Sequence, residues 1–300
     1  MTPSAPEAAN VILGTAHRMR FEAIEPFLTS LRATGSRARV CLFASRMDPA
    51  TLIELRRNAV EVFCFRTPLV RMRNPFAYAW PLLRHLSAPS RPEPLRTAVG
   101  RLALNLMDVR FLLYRDYVRV NLPRLRRVLL SDIRDVWFQS DPFAALLPDG
   151  ISTFLEDPSI PIRKSPLNAA WIGRAFGPEM IQEIGDRIVS CAGVTIGDAA
   201  AMLGYVDTMC DRLLRVRQLH SVGGEDQGIH NWIAWTPQPF PVTRFGNFEG
   251  AVLTMGCMAR SAIRLDAAGR VIGPDDLPVP VLHQYDRHLD RNGLRLVLRA

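Results

Sequence analysis

Two aspartates and an arginine follow an apolar run in the stretch LLSDIRDVWFQSDPF, residues 129–143. Burying an unpaired charge is costly, so charges at the end of a buried strand either form a local turn or hold a charged ligand. Asp132 and Asp135 offer the oxygen ligands that Mn²⁺ or Mg²⁺ prefers, and such an ion would neutralise a diphosphate. Arg134 could contact the same diphosphate. The alternative is a turn capped by Ser131 or Asp132, with Arg134 and Asp135 forming an ion pair.

Alternating strand and helix patterns lead up to this stretch. Apolar runs predict strands at 10–16, 38–45, 59–65 and 127–130. The spacing of apolar residues predicts a helix from about Glu25 to Gly35, and Asp48-Pro49 offers a cap and first turn for a second helix. Strand and helix alternation of this kind is typical of an α/β fold with a mostly parallel sheet. Ligands bind at the carboxyl ends of such strands, which is where Asp132 falls.

The second half of the chain continues the mixed pattern. Strands are predicted at 151–157 and 191–197, and Asp198 is expected to cap the helix after the second of these. Helices are predicted along the apolar stripe of residues 102–117, from Pro178 through Ile188, and after the turn at 223–224. The proline-rich residues 84–98 are expected to form an irregular loop. We expect residues 1–300 to form one domain.

Composition limits the classes of protein that the chain could be. It has 300 residues, 48% of them hydrophobic, and a net charge of +8. Lys164 is the only lysine, so the basic charge is almost entirely arginine. This charge favours phosphate-bearing partners, but no basic-aromatic repeat or recognition-helix signature indicates nucleic acid. No apolar run of about 18 residues and no signal-peptide pattern is present. The five scattered cysteines favour reduced thiols and a cytoplasmic location.

Several enzyme classes lack their signature motifs in this sequence. A Walker A motif and a G-x-G-x-x-G element are both missing, which argues against kinases and dehydrogenases. The G-x-S-x-G elbow of many hydrolases is also missing.

The segment RRVLLSDIRDVWFQSDPF resembles the acidic motif of nucleotide-sugar glycosyltransferases of the GT-A fold. In that family a strand ends in a D-x-D motif, followed by an apolar strand and a stop similar to xDPF. Alignment on DVWF places Asp135 at the second aspartate and Ile133 at the first. This chain supplies Asp132 one residue earlier, which leaves its role open between a metal ligand and a nucleotide contact. The resemblance implies a Rossmann-like sheet and a divalent cation, Mn²⁺ or Mg²⁺.

Further segments resemble the family in the same order along the chain. The resemblance of residues 10–35 to its first strand and helix implies that Thr15 and Ala16 lie beside the nucleotide. Arg110, one helix before the acidic motif, is implied as a donor contact, with a surface arginine as the alternative. Gly193, in CAGVTIG, would let the backbone approach the donor sugar, unless it belongs to a tightly packed core strand.

The last two matches concern catalysis and the metal. GEDQGIHNWI resembles the segment where the family places an acidic residue near the reacting sugar carbon, so Glu225 and Asp226 are the implied catalytic carboxylates. The alternative is that Asp226 only caps the following helix. VLHQYDRH resembles the segment of the C-terminal histidine that reaches the metal, which implies His283 as a ligand.

The resemblance implies transfer of a sugar from a nucleoside-diphosphate sugar to a glycan or glycolipid acceptor. The basic charge suits an acceptor at the inner membrane surface, with peripheral contact to that membrane. Two other functions stay open: a non-catalytic nucleotide- or sugar-binding protein, and a nucleotidyltransferase on a similar sheet.

Overall fold

The computed structural model describes residues 8–66, 75–216, 219 and 223–288, with the side chains of 75–79 left out. Its strands are β1 (Ala9–His17), β2 (Arg39–Ser45), β3 (Val60–Cys64), β4 (Leu125–Ser131), β5 (Val136–Phe138), β6 (Ile151–Phe154), β7 (Val194–Asp198), β8 (Val242–Phe245), β9 (Val252–Thr254), β10 (Arg264–Leu265), β11 (Val271–Ile272) and β12 (Val281–His283). Its α-helices are α1 (Glu25–Ala33), α2 (Pro49–Arg57), α3 (Pro75–Leu86), α4 (Glu93–Ala103), α5 (Leu106–Asn121), α6 (Pro166–Phe176), α7 (Pro178–Ile184), α8 (Ala199–Leu213) and α9 (Glu225–Trp235).

A seven-stranded sheet in the order β3-β2-β1-β4-β7-β6-β8 forms the centre of the fold. Neighbouring strands are parallel except β7, which runs antiparallel to both β4 and β6. This arrangement confirms the predicted α/β class with a mostly parallel sheet flanked by helices. The orientation of β7 was not predicted, and it brings Gly193, just before the strand, to the end of β4.

Apolar side chains cover both faces of this sheet. On one face α5, α8 and neighbouring helices bury aromatic residues such as Phe111, Tyr114 and Tyr205. On the other face α1 packs Phe27 and Leu31 against β1, β2 and β5. Strands that are apolar on both faces are typical of parallel sheets, which explains the continuous apolar runs in the sequence.

Two helix caps confirm expectations from the sequence. The Asp48 side chain accepts a hydrogen bond from the Thr51 backbone N–H, and Asp198 accepts one from the Ala201 N–H. The first helix begins at Glu25 as expected, with Pro26 in its first turn. These features are local, so the residue types alone specify them.

The prediction of an irregular loop at residues 84–98 is correct only for residues 87–92, because the residues on either side are helical. α3 extends to Leu86 and α4 begins at Glu93, with Pro92 and Pro94 at the start of α4. Proline is tolerated in the first turn of a helix, because the N–H that it lacks has no partner there. Proline content therefore marks a helix start in this segment.

Two other helix boundaries differ from the sequence predictions. The stripe at 102–117 is split, because α4 ends at Ala103 and the Asn105 side chain caps the new helix α5. α7 ends at Ile184, so Ile188 lies outside that helix. Gly185 follows its last residue directly.

A three-stranded sheet in the order β5-β12-β9 lies beside the acidic stretch. β12 pairs antiparallel with β5, so that His283 is opposite Val136, the residue after Asp135. The Gln284 N–H also donates a hydrogen bond to the Asp135 carbonyl oxygen at 2.7 Å. This pairing brings the C-terminal histidine to the acidic stretch from about 150 residues away along the chain.

In the part of the chain that the structure describes, we find no helix with the length and apolar character needed to cross a membrane.

Candidate active site

Asp132 is fixed at the end of β4 by its neighbours on both sides. Its backbone N–H donates to the Gly193 carbonyl oxygen at 2.7 Å, and its Oδ1 accepts a hydrogen bond from Arg110 Nη1 at 2.6 Å. Burial alone would raise the pKa of Asp132, but Arg110 and His283 outweigh this effect and hold the pKa well below its usual value. Asp132 is therefore ionised throughout the physiological pH range.

Arg110 joins two carboxylates that come from distant parts of the chain. It lies on α5 with 7% of its side chain exposed, and its second terminal nitrogen, Nη2, donates to Asp226 Oδ2 at 2.9 Å. Burial opposes the charged guanidinium, but Asp132 and Asp226 keep its pKa well above the usual value. The alternative that Arg110 is a surface arginine is thus wrong. When both carboxylates are ionised, the group of Arg110, Asp132 and Asp226 carries one net negative charge.

Asp226 lies in the first turn of α9 and is held by a second carboxylate. Its backbone N–H donates to Asp108 Oδ1 at 3.1 Å, and Asp108 Oδ2 accepts a hydrogen bond of 2.5 Å from the Asn105 side chain. Burial raises the pKa of Asp226, although Arg110 partly opposes this. The residue at the N-cap position is Gly224, and the Asp226 side chain binds Arg110, so Asp226 is not simply the cap of this helix.

Glu225 is oriented differently from its neighbour. Its side chain is fully buried, and Oε1 accepts a hydrogen bond of 3.0 Å from Arg174. Burial raises its pKa, and Arg174 opposes this rise. Glu225 is not among the residues that line the pocket described below, whereas Asp226 is. Of the two predicted catalytic carboxylates, Asp226 is therefore the one placed to reach a substrate.

Asp132, Asp135 and His283 form a group that fits a divalent cation. Their ligand atoms all lie within 4.8 Å of one another, with His283 Nε2 3.8 Å from Asp132 Oδ2. His283 Nε2 is buried and has no hydrogen-bond partner among the described residues, so it is available as a ligand. Carboxylate oxygens with one imidazole suit Mn²⁺ or Mg²⁺, the imidazole favouring Mn²⁺.

The charges within this group also favour a bound cation. Burial raises the pKa of Asp135, and the nearby Asp132 and Asp286 add to the rise, while His283 opposes it. Burial disfavours the charged form of His283, but Cys191 and Asp132 raise its pKa well above the usual value. A cation between the carboxylates would relieve their repulsion and displace the imidazole proton.

Gly193 permits the close packing of this group against β7. A Cβ at this position would lie 2.3 Å from His283 Nε2 and 2.9 Å from Asp132 Oδ2. Both distances are shorter than real Cβ atoms show, so a larger residue would displace the two side chains. Gly193 therefore matters because side chains of the candidate metal site approach its backbone.

The pocket beside these residues has a volume of about 390 Å³, which lies within the range of small-molecule sites. Arg110, Asp132, Gly193 and Asp226 are among its lining residues. Sequence reasoning missed several other lining residues: Glu156, Asn168, Trp171, Cys191, Gln227 and Arg287. Gln227 directly follows Asp226, and this adjacency was a usable signal. Cys191 and Arg287 lie in the segments CAGVTIG and VLHQYDRH, which were also marked. Glu156, Asn168 and Trp171 come from other parts of the chain, and no local pattern marks them.

Three of the predicted donor contacts lie away from this lining. The Thr15 hydroxyl hydrogen-bonds Tyr114 at 2.9 Å, and the Ala16 side chain is fully buried in the core. The Arg134 side chain is 68% exposed and lies 3.9 Å from Asp286, not in an ion pair with Asp135. The structure thus brings together Arg110, Asp132, Gly193, Asp226, Asp135 and His283, but not Arg134, Thr15 or Ala16.

Comparisons with known proteins give matches only among solved structures. No family model and no curated protein matches the sequence. The galactosyltransferase LgtC, in complex with donor and acceptor sugar analogs, is 14% identical over 94% of this chain and 90% of that chain, with a TM-score of 0.46. Core-mannan synthase A from Aspergillus fumigatus, in a Mn/GDP form, is 10% identical over 82% and 74%, with a TM-score of 0.43.

A third structure, the bifunctional glycosyltransferase WbbM, is 12% identical over 82% of this chain and 40% of that chain, with a TM-score of 0.43.

Proposed function

We propose that this chain is a metal-assisted glycosyltransferase that moves a sugar from a nucleoside-diphosphate sugar to a glycan or glycolipid acceptor. The observation that carries this proposal is the buried Arg110, which holds Asp132 and Asp226 at one pocket beside the Asp132–Asp135–His283 group. A cation site and a buried guanidinium at the carboxyl end of a central strand suit a diphosphate leaving group.

Asp132, Asp135 and His283 would hold Mn²⁺ or Mg²⁺ in this proposal. The bound ion would supply charge neutralisation for the departing nucleoside diphosphate. Arg110 would add a fixed positive charge that needs no reorganisation during the reaction, because its two carboxylate partners already orient it. Arg287, which also lines the pocket, is a further cation available to the phosphates.

Asp226 is the proposed catalytic carboxylate at the pocket. In an inverting transfer it would accept the proton of the acceptor hydroxyl, which is a general-base role. Its pKa is raised by burial, and a base is more effective when its pKa moves toward the working pH. In a retaining transfer the same carboxylate would face the reacting sugar without taking that proton.

We also propose that the chain works in the cytoplasm as one domain. The five cysteines are free thiols in the structure, and Cys41, Cys191 and Cys210 are buried. Free buried thiols suit a reducing compartment. A glycan or glycolipid acceptor presented there remains part of the proposal.

The proposal predicts metal-dependent binding of a nucleoside diphosphate. We expect UDP or GDP to raise the melting temperature, and to raise it more with Mn²⁺. Ligand at roughly 100 times its Kd adds about 2.7 kcal/mol to the free energy of unfolding. Arg134→Gln is the matched control, because this charged residue lies beside the ligand group yet is exposed.

Turnover of a panel of nucleotide sugars then separates an enzyme from a binding protein. Release of nucleoside diphosphate from at least one sugar donor, lost in Asp226→Asn, supports the proposal. Binding of nucleotide without release from any donor would indicate the non-catalytic alternative. Absence of a shift with every nucleotide, with and without Mn²⁺, would contradict the donor site itself.

A further inference from the structure

The helix α3 presents an apolar face to solvent. Leu82 is 75% exposed and Leu86 is 40% exposed, and residues four apart lie on the same side of a helix. Pro81 and His85 extend this exposed side. Leu95, on the neighbouring helix α4, is also 39% exposed. Leu82 and Leu86 therefore form an exposed apolar strip along one side of α3.

The opposite side of α3 is anchored to the core, which fixes the direction of the exposed face. Trp80 is 1% exposed, and its indole N–H donates to the Val216 carbonyl oxygen at 2.9 Å. The Ser87 hydroxyl donates to the Leu214 carbonyl oxygen at 2.7 Å. A helix that is apolar on both sides normally buries both, so the outer side of α3 is suited to a partner.

The charges beside this face indicate what the partner is. Arg84 and Arg91 are exposed, and neither forms an ion pair with another described residue. The nearby carboxylate of Glu93 is already paired with Arg119 and Arg115. The exposed leucines of α3 thus belong to a segment whose exposed arginines form no ion pair with another described residue. Leucines beside arginines match the boundary between acyl chains and anionic headgroups.

We propose that the α3 surface, defined as Pro81, Leu82, Arg84, His85, Leu86, Arg91 and Leu95, docks on a membrane that contains anionic lipid. Leu82 and Leu86 enter the interface between headgroups and acyl chains, and Arg84 and Arg91 lie among the lipid phosphates. This contact is reversible, because a few leucines and two arginines provide far less binding than a spanning helix.

Co-sedimentation with vesicles tests this docking surface. The full chain is mixed with vesicles of phosphatidylcholine alone, or of phosphatidylcholine with one third phosphatidylglycerol. Binding is expected only with the anionic lipid and is expected to fall as salt is added. Replacing both leucines, as Leu82→Ser with Leu86→Ser, should lower the partition coefficient by about tenfold or more, because each buried leucine contributes roughly 1.5–3 kcal/mol when fully buried.

The arginines are tested separately. Arg84→Gln and Arg91→Gln should each lower the partition coefficient about fivefold on anionic vesicles, which is the ratio for about 1 kcal/mol per basic residue. Leu146→Ser and Leu277→Ser are matched controls, because both leucines are strongly exposed but lie elsewhere in the chain. These two variants should bind vesicles like the unchanged protein.

Three results would overturn the proposal. The first is no binding of the unchanged chain to either vesicle. The second is equal loss of binding in the Leu146→Ser control. The third is a concentration-dependent dimer that the leucine pair variant abolishes while vesicle binding persists, which would identify a second copy of the chain as the partner. Melting curves of each variant confirm that it is folded, and the arginine variants test the surface if the leucine pair proves unstable.

Discussion

Replacing Gly193 by alanine should disrupt the candidate metal site through one added methyl group. Gly193 is not among the residues with positive φ, so alanine can adopt its backbone conformation. The effect therefore comes from contacts alone. The new Cβ would lie 2.3 Å from His283 Nε2 and 2.4 Å from its Cε1, where ordinary contacts begin at 3.4 Å. The imidazole must move by about 1 Å to make room.

The surroundings decide what this displacement costs. His283 is fully buried, so its imidazole has no free space to enter, and the hydrogen bond from Arg110 restrains Asp132. Overpacking of this kind costs about 1–3 kcal/mol of stability. Misplacing a ligand should weaken Mn²⁺ binding by at least about 10–100-fold, which is the range for losing an interaction that merely orients a ligand.

Gly197→Ala, in the strand β7 that follows Gly193, is the matched control. Its Cβ would lie 2.6 Å from Ile151 Cδ1 and 3.0 Å from the Gly150 carbonyl oxygen, so it also overpacks the core, but it does not touch the metal group. Calorimetric titration with Mn²⁺ and urea unfolding of both variants separate the two effects. Both should lose stability, and only Gly193→Ala should lose Mn²⁺ affinity. Mn²⁺ binding of Gly193→Ala at the affinity of the unchanged protein would refute the assigned ligand group.

Three further predictions concern other parts of the site. Asp135→Asn should weaken Mn²⁺-dependent nucleotide binding by much more than Asp132→Asn, which calorimetric titration measures. Asp132→Asn should lower the free energy of unfolding more, because Arg110 loses a charged partner, and urea unfolding measures this. Equal effects of the two variants would contradict this division. Asp226→Asn should keep nucleotide binding and lower turnover roughly 10²–10⁴-fold, measured as release of nucleoside diphosphate; unchanged specific activity would exclude it as the base. Burial and the charge of Arg110 lower the pKa of His230 to about 3. Between roughly pH 6.5 and 3, His230 is protonated in the unfolded chain but stays neutral in the folded one. The free energy of unfolding therefore decreases by about 1.4 kcal/mol for each unit by which the pH is lowered. Urea unfolding at several pH values should show a smaller dependence in His230→Gln, and an identical slope would contradict the assignment.

The sequence predicted those parts of the fold that local signals specify. The strands β1, β2, β3 and β4 were expected within two residues of their observed ends. Their side chains are apolar on both faces, and the residues between them carry clear caps such as Asp48. A buried parallel strand and a capped helix are recognisable from consecutive residues, so no knowledge of distant contacts is needed.

The helical segment around α3 and α4 was missed because its stability is not local. Trp80 and Ser87 bind backbone carbonyls of Val216 and Leu214, which lie more than 120 residues further along the chain. Proline-rich composition favours a loop when only the segment itself is considered. Tertiary hydrogen bonds and packing override that preference here.

The candidate site was predicted in its residue types and only partly in its geometry. Arg110 and Asp226 are 116 residues apart, and no feature of either segment indicates that they form an ion pair. Asp108 was missed for the same reason, since its role depends on the backbone of Asp226. Arg134 was expected at a diphosphate because it lies between two candidate ligands in the sequence. The Arg134 side chain is exposed, so a residue adjacent to the metal ligands in the sequence need not point its side chain toward them.

The structure explains why the two aspartates at the end of β4 are three residues apart. Ile133 is 2% exposed, and its side chain occupies the space beside Gly14, where a Cβ would lie 2.2 Å from Ile133 Cδ1. This packing holds the turn against β1. An aspartate at position 133, as the D-x-D spacing would require, would place its charge in an apolar cluster and be strongly disfavoured.

With position 133 used for packing, the two carboxylates on either side of it take different partners. Asp132 lies toward α5 and is held by Arg110, whose other nitrogen binds Asp226. Asp135 lies toward β12, makes no ion pair with an arginine among the described residues, and has a pKa raised by burial. A carboxylate whose charged form is disfavoured in this way would be stabilised by the cation of the proposed metal site. The shifted first aspartate therefore links the proposed metal site to the proposed catalytic carboxylate through one buried arginine, which a carboxylate at position 133 could not do.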